Sequence, residues 1–131
     1  MTPKRLAILL GTAIVVFIVL ADLGLLGPLG WIYAFPYGDK VGHFALFGLL
    51  SLFANLAAFE KWPRLDRTAL ALRVSLLLAV LIGLEESSQK LFPLRTFSLR
   101  DLAAGYLGVA LFALLALYIA HRRHRQTTGP S

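Results

Sequence analysis

No cysteine occurs in the 131 residues of this chain, which excludes disulfides, thiolate metal sites and cysteine nucleophiles, and leaves no trace of the redox state of its compartment. Charge is scarce as well. Asp, Glu, Lys and Arg make up 15% of the chain against 58% apolar residues, and the mean hydropathy is +0.74. A soluble domain of this size needs more surface charge than that, so a membrane protein is expected. There is no internal repeat and no low-complexity tract. The net charge of +6 does not point to nucleic acid, because the basic residues are divided among short segments between apolar runs, where membrane topology accounts for them.

What the chain does contain is four such runs, at residues 6 to 21, 41 to 59, 68 to 84 and 102 to 120. About 20 mostly apolar residues cross a hydrocarbon core about 30 Å thick, and backbone groups in lipid must be paired within their own segment. The expected fold is therefore an all-α membrane protein, a four-transmembrane-helix bundle, with helices over about residues 5 to 26, 40 to 59, 68 to 91 and 99 to 121. Residues 1 to 125 form a single domain and 126 to 131 a polar tail. Arg73 interrupts the third run, but its long side chain can reach the near interface. Lys4, Arg5 and the apolar stretch ending in Val-Leu-Ala at 19 to 21 also look like a secretory signal, which is expected to be retained as the first span. With the N-terminus in the cytoplasm, nine Lys and Arg residues fall inside and four, Lys40, Lys90, Arg95 and Arg100, outside, so both termini are expected to be cytoplasmic.

Polar residues gather at the outer ends of these helices. Asp39 and His43 are four apart and share a helix face, while Glu86 and Gln89 are three apart at the end of the third helix. After Pro93 the chain turns, and Ser98 with Asp101 three residues on reads as a cap for the fourth helix. Taken singly, Lys40, Lys90 and Arg100 read as interfacial anchors. The anomaly is Glu85 beside Glu86. Adjacent carboxylates repel, and the pair is tolerated most easily if cations such as Arg95 or Lys40, or a bound metal or ligand, lie close.

In order along the chain, Asp39, Lys40 and His43, then Glu86 and Gln89, then Pro93, Arg95, Asp101 and Gly108 resemble the motif of the VanZ-like family of small bacterial integral membrane proteins, over about residues 36 to 116. The family's Asn position holds Gly105 here. The resemblance implies a multi-pass protein of the bacterial cytoplasmic membrane, with a link to resistance to teicoplanin-type glycopeptides. On this reading an outward-facing site binds or modifies an anionic cell-envelope lipid or lipid-linked wall precursor. Arg95 contacts the phosphate, Lys40 adds charge, and Glu86, Asp39, Gln89 and Asp101 complete the site. If the protein is an enzyme, His43 or Glu86 serves as the general base. The alternative is a structural or oligomeric transport helper, built from several copies of the chain, in which the same residues form an internal salt-bridge network. A divalent ion on His43, Glu86 and Asp101 has no supporting local spacing such as His-x-x-x-His, so no metal or other cofactor is expected.

Overall fold

The computed structural model of the chain describes residues 2–22, 38–88, 91 and 99–127. These form four successive helices, α1 (Pro3–Asp22), α2 (Gly38–Lys61), α3 (Arg67–Ser88) and α4 (Leu99–Thr127). Local chemistry sets several of their ends. Thr2 Oγ1 accepts the Arg5 amide at 3.2 Å, and Pro3 takes the first position of α1, where a missing N–H costs nothing. Pro63 disfavours helical backbone at the residue before it, so α2 stops at Lys61. The Leu65 amide then donates to the Trp62 carbonyl at 3.2 Å, and Asp66 caps α3 by accepting the Ala69 amide at 3.1 Å. At its far end α4 runs on to Thr127 rather than stopping near residue 121, because no Gly or Pro intervenes before Gly129.

Three stretches, Val41–Lys61, Arg67–Ser88 and Leu99–Arg123, are long and apolar enough to cross a membrane. At 21, 22 and 25 residues they span about 32 to 38 Å. Their outer faces are aliphatic: Val41, Leu72, Leu76, Leu84, Leu99 and Leu114 are each more than 60% exposed. Such a surface suits lipid and would associate in water.

α2 packs on each of the other three helices, and most extensively on α4. The short 62–66 turn makes α3 antiparallel to α2, and α4 returns parallel to α2. One apolar cluster, with Leu52, Leu56, Phe59, Leu70, Ala71, Ala116 and Ala120, lies toward the turn between α2 and α3. A second joins Ile14, Phe47, Leu78, Ile82 and Val109. Where α2 meets α4 the backbones touch. A Cβ at Gly108 would overlap the Phe44 carbonyl oxygen and come within 3.2 Å of the Gly48 amide nitrogen, and one at Gly48 would overlap the ring of Phe112. Ser51 Oγ reinforces the same contact by donating to the Val109 carbonyl at 2.9 Å.

Gly108→Ala should therefore destabilise the protein by about 1–3 kcal/mol, the usual cost of overpacking. At Gly42, where an added Cβ meets nothing within 4 Å, alanine should be neutral or stabilising by up to about 1 kcal/mol. Reversible unfolding in mixed detergent micelles measures both. Equal midpoints for the two variants would contradict the backbone contact.

Candidate functional site

The helix directions bring the start of α2, the end of α3 and the start of α4 to one end of the molecule. His43 stands on the second turn of α2, and Glu85 and Glu86 open the last turn of α3. His43 Nε2 lies 3.9 Å from Glu86 Oε2, and one ligand atom from each of His43, Glu85 and Glu86 falls within 4.8 Å of the other two. Glu86 is completely buried, while His43 and Glu85 are half-buried. A carboxylate removed from solvent costs several kcal/mol unless positive charge or donors offset it. His43 supplies positive charge only when protonated.

The remaining expected site residues divide. Asp101 is buried in the first turn of α4 and is not a member of the His43, Glu85 and Glu86 set. Packing explains the separation: Gly108 sits on Phe44, so Asp101 lies seven residues before that contact and His43 one residue before it. The difference is about 9 Å of helix rise. Arg100 is exposed. Asp39 and Lys40 occupy the first turn of α2, but their side chains, like the whole of Gln89, Lys90, Pro93, Arg95 and Ser98, lie outside the described residues.

Gly105 faces a filled space. A Cβ there would come within 3.2 Å of the Phe47 ring and 3.5 Å of Ile82. Phe47 is itself buried and tilts against His43, with ring centroids 5.7 Å apart at 50°. The ring of Phe47 thus occupies the place that a side chain at position 105 would need.

Two buried polar residues escaped the reading of the sequence. Asn55 Nδ2 donates to the Ser51 carbonyl at 2.8 Å and to Ser51 Oγ at 3.2 Å, and both side chains are fully buried. Asn55 Oδ1 has no hydrogen-bond partner among the described residues. The signal was present, since His43, Ser51 and Asn55 recur at multiples of four and so share one face of α2 with Phe47.

An apolar groove of about 630 Å³ leads away from the polar set. α1 forms one wall through Ile8, Gly11 and Val15, α3 forms the other through Leu78, Leu81 and Ile82, and Phe47 and Leu50 of α2 make the floor. Glu85 closes one end of the lining. A second hollow of about 650 Å³ shares Ala7, Ile8 and Leu78 and continues toward Lys4, Lys61 and Trp62. Comparison with protein-family models, curated proteins and solved structures gives no match to this chain.

Gly105→Asn should destabilise the protein by about 1–3 kcal/mol, because Phe47 must give way. Phe47→Ala alone should cost about 3–5 kcal/mol. The double variant should be more stable than the two costs together predict, by at least about 1 kcal/mol, as residues in contact couple. Strict additivity in a double-mutant cycle would show that Phe47 does not hold that space.

Proposed function

We propose that the chain is a four-span VanZ-like membrane protein with both termini in the cytoplasm, and that its outward-facing polar site binds the head group of an anionic envelope lipid or lipid-linked wall precursor. The observation that supports this most is the union of two surfaces: the His43, Glu85 and Glu86 set stands at the end of an apolar groove whose lining includes Glu85. An amphiphile has that pattern. The groove would take an acyl chain, since a gap beside spanning helices is filled by lipid rather than left empty, and the polar end would take the head group.

In this reading Arg95 grips a phosphate with its planar guanidinium and Lys40 adds charge, while Asp39, Gln89 and Asp101 steady the cations. His43 and Glu86, 3.9 Å apart, are the pair that would pass a proton if the lipid is modified as well as bound. The cellular consequence would be altered tolerance to envelope-acting glycopeptides.

The absence of cysteine gives a clean background for testing orientation. Single cysteines at Tyr37 and Thr96 should react with an impermeant thiol reagent in intact cells, and one at Thr127 should not. Labelling at Thr127 with protection at the other two positions would place the site on the cytoplasmic side and end the envelope-lipid reading.

Ligand binding is tested with purified protein and a phosphate-bearing anionic lipid in nanodiscs. Arg95→Lys keeps the charge but loses the fork, and should weaken binding about tenfold. Gly11→Phe, which fills the groove, should weaken it as well, with Arg95 intact. His43→Gln should retain most of the binding while abolishing any turnover. Affinities that are the same for wild type, Arg95→Lys and Gly11→Phe would rule out both the head-group and the acyl-chain assignments.

A further inference from the structure

His43, Glu85 and Glu86 form a donor set whose arrangement is more demanding than its composition. On a helix, side chains at neighbouring positions diverge by about 100° and do not face each other. Yet carboxylate oxygens of both Glu85 and Glu86 come within 4.8 Å of one another and of an imidazole nitrogen carried by a different helix. Like charges resist this convergence, and a cation between them stabilises it. Glu86 is completely buried, so water offers it little screening, while His43 and Glu85 are half-buried.

We propose that these three side chains bind a divalent transition-metal ion, with the remaining coordination positions open toward the groove that Glu85 lines. Metal–nitrogen and metal–oxygen bonds of about 2.0–2.2 Å put neighbouring ligand atoms about 3–3.5 Å apart. From the observed 3.9 Å between His43 Nε2 and Glu86 Oε2 and the 4.8 Å limit of the set, closure requires movements of about an ångström, within reach of glutamate rotamers. An imidazole beside two carboxylates suits Zn²⁺ or Mn²⁺. Mg²⁺ and Ca²⁺ prefer oxygen ligands throughout. The proposal depends on these side chains alone; with an ion bound, His43 and Glu86 act as its ligands in place of a proton-passing pair, and the ion presents positive charge at the groove mouth.

Zn²⁺ titration of metal-stripped, full-length protein in detergent tests it. His121 and His124 in the C-terminal segment are a second place where zinc could settle, so the measurement is made in parallel on His121→Gln/His124→Gln. Both proteins should bind one Zn²⁺ per chain at the helix site and melt at a higher temperature with it, and equal Mg²⁺ should produce neither effect. In the tail-substituted background, His43→Gln, Glu85→Gln and Glu86→Gln should each weaken binding at least about tenfold. Should a variant fail to fold, Co²⁺ added to the tail-substituted protein with an intact site should still give the visible absorption of a nitrogen- and oxygen-ligated ion. Zinc binding that vanishes with the tail histidines, affinities untouched by all three site substitutions, or no Co²⁺ spectrum would each overturn the assignment.

Discussion

The rest of the structure depends on the absence of a side chain at Gly108. Helices in lipid gain nothing from burying apolar surface against each other, since lipid tails are equally apolar, so association rests on close packing and on hydrogen bonds between helices. At Gly108 the backbone of α4 comes against Phe44 and Gly48 of α2, and the Ser51 hydroxyl ties the same level to the Val109 carbonyl. Phe44 with Gly108 and Gly48 with Phe112 keep one offset between two parallel helices. Their relative depth is thereby determined.

From that depth the polar residues acquire their places. His43 adjoins the contact and is held level with the last turn of α3, where Glu85 and Glu86 reach it. Asp101 belongs to a layer nearer the helix starts. At the opposite end the structure is basic and aromatic: Arg67 donates to the Ala120 carbonyl at 3.3 Å, Lys61 lies 4.9 Å over the Trp62 ring, and Arg122 stacks against Tyr118 at 5.9 Å. Lys61 in the last turn of α2 is favourable for the helix dipole, and the long stems of these cations can lie along apolar surface. The buried acids Glu86 and Asp101 thus lie at one end of the helices, while Lys61, Arg67 and Arg122 contact rings and a carbonyl at the other.

Much of this was legible in the amino-acid order. Helix positions follow from unbroken apolar runs and from the placement of Pro and polar caps, because in lipid the backbone has no other way to satisfy its hydrogen bonds. The pair Glu85 and Glu86 was legible as an electrostatic oddity, since adjacent carboxylates in an apolar chain need a reason. The identity of the third member of the set was not. Asp101 stood at the right end of the right helix, but whether it or Glu85 joins His43 and Glu86 depends on the depth of α4 against α2, a tertiary quantity decided at Gly108. Ser51 and Asn55 were missed for a related reason: a Ser and an Asn in an apolar run stand out only when their shared face with His43 is recognised.

Phe47 then decides what kind of site this can be. Along one face of α2 the order is His43, Phe47, Ser51, Asn55, two polar regions separated by one aromatic ring. That ring is buried, packs on His43, and occupies the space beside Gly105. A chain of hydrogen-bonding groups running the length of the helix would suit passage of an ion or proton through the molecule. The ring breaks it among the described residues. The polar set is confined to one end, while Ser51 and Asn55 serve the α2–α4 contact through Val109. Among the described residues there is no polar continuity through the middle of the helix, and the set instead adjoins the apolar groove that Glu85 lines. It is on this geometry, a polar set meeting an apolar groove, that the proposal of a membrane-borne ligand rests.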